Sequence, residues 1–125
     1  KRVRVVDIHT IKPIDKDIIL KCAKETQKLI SIEDHSIIGG LGSAIAEVLT
    51  DEYPAKLTRL GMKDTFGKSG KAQELLDYFE LNAEGIKKAV YTAFFIFDCI
   101  ECKTLLFYDL TLFHALYLIL LVYEQ

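Results

Sequence analysis

The chain has no surplus of positive charge. Sixteen Lys and Arg stand against 18 Asp and Glu, a net charge of −2, so the basic face that a nucleic-acid footprint needs is missing. It has only three cysteines, Cys22, Cys99 and Cys102. An odd, small set makes no disulfide framework, and a reducing, cytoplasmic compartment is the expectation. The opening KRVRVVDIHT lacks the continuous apolar core of a signal peptide. It also lacks an initiator methionine, Met62 being the only Met, so the sequence reads as a piece of a longer polypeptide. Its 125 residues suffice for one domain with one modest core.

From Tyr91 onward glycine, proline and clear turn signals are absent. The charge shifts at the same place. Residues 1–90 hold 15 basic and 14 acidic side chains, net +1, while 91–125 set Lys103 against Asp98, Glu101, Asp109 and Glu124, net −3. Two kinds of sequence are joined, and the expected division is a domain over 1–90 and a hydrophobic tail over 91–125, for which a helix is one reading. The apolar run from Leu110 to Tyr123 is 14 residues, short of the roughly 18–20 that span a bilayer. Extending it back to Thr104 takes in Asp109 and His114, and an Asp at a helix centre costs about 2.5–3.5 kcal/mol on insertion scales. A membrane is therefore not the expected partner. A helix covering an exposed face of a sheet, an out-of-frame end and a marginal anchor are the readings the tail leaves open.

The first 90 residues have the grammar of alternating strands and helices. Val3–Ile8 is β-branched and apolar, as a buried strand should be. Asp15 is a good helix N-cap with Asp17 in the first turn, and Ile18, Ile19, Cys22, Ala23 and Thr26 fall on one face of the helix that follows. Leu29–Glu33 reads as a second strand, about Leu41–Thr50 as a second helix stopped before Pro54, and Lys56–Gly61 as a weaker third strand. Ala72–Phe79 and Ala83–Val90 read as short helices, the second capped by Asn82. This order predicts an α/β fold with a parallel-dominated, three-layer sheet, incomplete at its N-terminal side and needing at least one strand more.

The candidate site is the glycine turn between the second strand and helix: Glu33, Asp34, His35, Gly39, Gly40, Gly42 and Ser43. It brings a His, two carboxylates and helix-initiating N–H groups to one sheet edge. Most signatures fail there. No Lys follows Gly42 as a phosphate-binding P-loop requires, and Gly40-Leu41-Gly42-Ser43-Ala44-Ile45 lacks the last glycine of GxGxxG. No nucleophile or metal-ligand set accompanies His35, and no catalytic residue is assigned. A tight turn with close helix–strand packing and an anion or partner contact are the two readings left. Cys99-Ile100-Glu101-Cys102 has no second ligand pair for zinc, and the surrounding apolar sequence does not suit a redox pair. The loop MKDTFGKSGK (62–71) reads as a solvated connector anchored by Phe66.

Three segments in order, VRVVDIHTIKPID (3–15), IEDHSIIGGLGSAIAEVL (32–49) and LGMKDTFGKSGKAQELLDYFELNAEGIKKAV (60–90), resemble the C-terminal domain of transketolase and its thiamine-diphosphate relatives. The third is most similar to the shorter, two-part transketolases. The resemblance implies two-carbon ketol transfer between sugar phosphates, as in the pentose phosphate pathway, with thiamine diphosphate and a divalent metal (Mg) in the full enzyme. It implies that the cofactor lies between N-terminal and middle domains, across a dimer interface, so that this chain binds none and serves assembly. Those domains, or a partner subunit, are the expected partners, in a homodimer. It also implies a strand and helix before VRVVDI. Deoxyxylulose-phosphate synthase and the β subunits of 2-oxoacid dehydrogenases share the domain and are the alternatives. A stand-alone anion-binding regulatory module is the rival from another class.

Overall fold

The computed structural model describes residues 2–95 and 117–123. The elements are β1 (Arg2–Asp7), α1 (Lys16–Thr26), β2 (Lys28–Ser36), α2 (Leu41–Glu52), β3 (Lys56–Met62), α3 (Ala72–Tyr78), α4 (Ala83–Phe95) and β4 (Tyr117–Tyr123). Local chemistry sets most of the helix ends. The Asp15 carboxylate accepts from Ile18 N at 3.1 Å, and Asn82 Oδ1 accepts from Gly85 N at 2.8 Å, each answering a helix-start donor that has no intrahelical partner. Gln27 closes α1 in the left-handed region (φ 59), and its N–H donates to Ala23 O at 2.9 Å.

The sheet order is β1-β4-β2-β3. β2 and β3 are parallel, while β4 runs antiparallel to both β1 and β2. Three of the four strands therefore point the same way, in a mixed α/β sheet with parallel strands. Side chains along β2 alternate between two helical layers, as the pleat demands. Leu29 joins Ile8, Ile19, Cys22, Ala23, Leu41, Ile45, Val48 and Leu49 in the core under α1 and α2. Ile30 and Ile32 face the other way, into the smaller core with Leu81, Ile86 and Val90. Arg4 donates to Glu25, an ion pair that ties β1 to α1.

Three expectations change. Tyr117–Tyr123, for which a helix is one reading by sequence, is a strand: a continuously apolar YLILLVY suits a position with neighbours on both sides. The remainder of the tail at 96–116 and 124–125, with Cys99, Cys102 and His114, lies outside the described residues. Val3 and Val5, expected to be buried, are 41% and 55% exposed; the main sheet contacts of α4 are with β2 and β3. Among the described residues Phe66 anchors nothing; it is 98% exposed. Among the described residues no helix is long and apolar enough to cross a membrane.

Candidate functional site

The glycine turn lies where β2 ends and α2 begins. By the alternation that sends Leu29 into the α1/α2 layer, Ser31 and Glu33 point there too. Glu33 is 1% exposed, and its two carboxylate oxygens accept from Leu41 N at 2.8 Å and Gly42 N at 3.0 Å. A carboxylate from the neighbouring strand thus caps the helix, in place of the Ser, Thr, Asp or Asn that usually does so locally. Gly40 supplies no side-chain cap, and its lack of a side chain is what admits Glu33. A Cβ there would sit 2.0 Å from Glu33 Oε2 and 2.8 Å from Ser36 O. Gly39 has φ +76, the left-handed conformation that glycine adopts without strain.

A second layer of bonds holds the loop. Ser43 Oγ donates to Ile37 O at 3.1 Å and accepts from Gly39 N at 3.0 Å. Ile38 N donates to Ser36 Oγ at 3.2 Å. Arg59 of β3 donates to Ile37 O at 3.1 Å and lies 3.4 Å from Ser43 Oγ. Asp34 and His35 are exposed, with His35 Nδ1 3.1 Å from its neighbour's Ser36 O.

The turn thus joins Glu33, Gly40, Gly42 and Ser43 in one buried or half-buried cluster, and leaves Asp34, His35 and Gly39 on the surface. Arg59, Ser31 and Gly61 belong to it and were not foreseen. At Gly42 a Cβ would meet Arg59 Cδ at 2.7 Å and Ser31 Oγ at 2.8 Å, and at Gly61 it would meet His35 O at 2.7 Å. The period-2 pattern of β3, which puts Leu57, Arg59 and Gly61 on the α2 side, was the signal available for them.

Among the described residues no group of three or more His, Cys, Asp or Glu could hold a metal ion. Burial pushes the Cys22 thiol above its ordinary pKa, with Arg4 acting the other way, so it stays protonated and unreactive near neutral pH.

A helix start of small residues closed by a carboxylate of the preceding strand, on a mixed α/β sheet with helices on both faces, defines an α/β domain. The family described as "Transketolase, C-terminal domain" matches residues 1–86, and the chain belongs to that family. It is 49% identical over 87 residues to a putative transketolase C-terminal section of Methanocaldococcus jannaschii, covering 69% of this chain and 27% of that protein. It is 40% identical over 87 residues to the 6-deoxy-6-sulfo-D-fructose transketolase subunit SqwH of a Clostridium species, covering 70% and 27%. A split-gene transketolase solved as an inactive β4 tetramer superposes with a TM-score of 0.64 at 42% identity, over 69% of this chain and 28% of that one. The chain thus spans about a quarter of the length of these relatives. Synthases of 1-deoxy-D-xylulose 5-phosphate are among the matches as well.

Proposed function

We propose that the chain is the C-terminal segment of a cytoplasmic transketolase-like enzyme that moves a two-carbon ketol unit between sugar phosphates. Its own task is assembly and interface packing. Residues 1–90 form the domain proper, and 91–125 are an addition whose strand borrows a place in the sheet. Thiamine diphosphate, with a divalent metal on its diphosphate, supplies the electron sink in the full enzyme. The glycine turn does not fit that diphosphate: the Leu41 and Gly42 N–H groups that would meet it hold Glu33, and Gly40 leaves no space beside the carboxylate. In this reading the cofactor belongs to the N-terminal and middle domains, or to a partner subunit carrying them, in a homodimeric enzyme.

The observation that carries the packing role is Phe66. It stands 98% exposed in the loop after β3, and Ile38 is 60% exposed in the loop after β2. Both loops leave the same end of the parallel pair, tied by Ile37 N donating to Met62 O at 3.0 Å. An exposed aromatic and a second exposed large apolar side chain, on loops at one end of the parallel pair, suit an interface that buries them.

Mixing the 125-residue chain with a polypeptide or pair of polypeptides carrying both the N-terminal and the middle domains of a split transketolase tests this. The mixture is expected to transfer ketol units, and the chain alone is not. Phe66→Ala is expected to weaken association at least about tenfold, the range of a buried aromatic anchor. Turnover by the chain alone, or unchanged association of the variant, refutes the reading.

A further inference from the structure

Arg59 stands on β3, an outer strand of the sheet, and its side chain is bedded before it reaches solvent. A Cβ on Gly42 would meet Arg59 Cδ at 2.7 Å and Cγ at 2.8 Å, so the bare glycine in the first turn of α2 lets the arm lie close. At the far end Nη1 donates to Ile37 O at 3.1 Å and lies 3.4 Å from Ser43 Oγ. A stem laid along a helix start and one nitrogen tied to the next loop restrict where the guanidinium can turn.

The other edge of the group is unused. In a guanidinium the Nε–H and one Nη2 hydrogen point the same way and form a fork that grips both oxygens of a carboxylate. Among the described residues neither Nε nor Nη2 of Arg59 has a hydrogen-bond partner, and Arg59 forms no ion pair, whereas Arg4, Lys16, Lys87 and Lys88 each do. Glu33, the buried carboxylate of the cluster, is engaged by Leu41 N and Gly42 N. Arg59 itself is exposed, so the fork opens outward.

The surroundings say what kind of oxyanion fits. The carbonyl that accepts from Nη1 belongs to the peptide leading into Ile38, whose side chain is 60% exposed. An apolar side chain beside an open fork suits a partner that brings an acidic side chain inside an apolar contact, where a charge pair is desolvated and strong. A free phosphate is suited less. It would draw on helix-start N–H groups as well, and those of Leu41 and Gly42 are held by Glu33.

We infer that Arg59 is the carboxylate receptor of the interface. Its occupant is an aspartate or glutamate side chain of the section carrying the N-terminal and middle domains, gripped at two points while Ile38 packs beside it. This rests on the packing role proposed above and goes beyond it by naming the charge the partner brings. The tie to Ile37 pre-organises the arginine, so less side-chain freedom is lost on docking.

The test mixes the full 125-residue chain with the polypeptide or pair of polypeptides carrying both the N-terminal and the middle domains of a split transketolase. Arg59→Met is expected to weaken association at least about tenfold, and Arg59→Lys, which keeps the charge without the fork, at least about fivefold. The Nε–H signal of Arg59, identified in nitrogen-edited NMR by its absence from Arg59→Met, is expected to move on mixing and to exchange with water at least about tenfold more slowly. A role confined to tying the loop would leave that signal in place, and the readout uses the parent chain, so it stands whatever the stability of the variants. Inorganic phosphate added to the chain alone is expected to leave the signal unmoved up to about 10 mM. Association that Arg59→Met or Arg59→Lys leaves within about twofold of the parent, or an Nε–H signal that mixing does not move, overturns this inference and leaves the packing role standing. Saturation of the signal by phosphate below about 10 mM overturns it in favour of a free-anion site. Absence of any association overturns the packing role, and this inference with it.

Discussion

Replacing Glu33 by Gln isolates the cap from the packing. The side chain keeps its size, but one of two acceptor oxygens becomes an NH2. Because Leu41 N and Gly42 N each meet a separate carboxylate oxygen, at 2.8 and 3.0 Å, only one of them can keep an acceptor. The other becomes a buried donor facing a donor, a loss of about 1–3 kcal/mol. The surviving bond passes from charge-assisted to neutral, about 1 kcal/mol more, and the α2 dipole loses its negative neighbour, about 0.3–1 kcal/mol. Burying an amide in place of a carboxylate removes a desolvation penalty and returns part of this. The net expectation is a loss of about 2–3 kcal/mol. With a urea dependence of about 1.5–2 kcal/mol per M for a chain of this size, the unfolding midpoint followed by far-UV circular dichroism should fall by roughly 1–2 M. Glu33→Asp keeps the charge and falls one methylene short, and should lose a similar amount. A Gln midpoint within about 0.3 M of the parent would refute the reasoning that the carboxylate holds the helix start.

Gly40→Ala forces a Cβ to within 2.0 Å of Glu33 Oε2 and should cost about 1–3 kcal/mol in urea unfolding. Gly67→Ala, where a Cβ meets nothing within 4 Å, should stay within about 0.5 kcal/mol. Ser31 Oγ is a buried side-chain atom with no hydrogen-bond partner. Ser31→Ala should therefore leave stability unchanged or raise it by up to about 1 kcal/mol in the same assay. The hydrogen bond from Lys88, at 2.9 Å, holds the Glu80 carboxyl below its usual pKa. What the pair contributes is complete above the ordinary carboxylate pKa and fades as pH falls through the lowered value. Lys88→Met should bring the Glu80 carboxyl titration, followed by NMR, back up toward the ordinary range.

The elements of residues 2–90 were legible because their signals are local: β-branched runs, Asp15 and Asn82 as caps, Pro54 as a stop, and an apolar stripe on each longer helix. The location of the glycine turn was legible too, as was the kinship of its segments. What the turn does was not. Glu33 and the N–H groups it answers are eight and nine residues apart, and no periodicity connects a strand's last inward residue to the next helix's first turn. The alternation along β3 puts Arg59 and Gly61 on one face with Leu57, but their place beside Glu33 comes from the parallel pairing of β3 with β2, which the alternation does not give. Phe66 was misplaced because an aromatic between polar residues looks like an anchor for its own loop, whereas it stands 98% exposed. For Tyr117–Tyr123, an unbroken apolar run fits a buried helix and a central strand equally well; in the fold it pairs with β1 on one side and β2 on the other.

The Glu33 cap also acts as a proofreader of strand alignment. Successive residues of β2 face opposite layers, so a slip of one position against β3 would swing Glu33 out of the α2 layer and bring an isoleucine in. The helix start would lose its acceptor and a carboxylate would be driven among Leu81, Ile86 and Val90. Both penalties arise from a single error, at the moment the first parallel pair of the sheet is formed. A local Ser or Asp at Gly40 would cap α2 just as well in the wrong alignment as in the right one. By drawing the cap from the strand, the sequence makes formation of the helix conditional on correct pairing of the sheet.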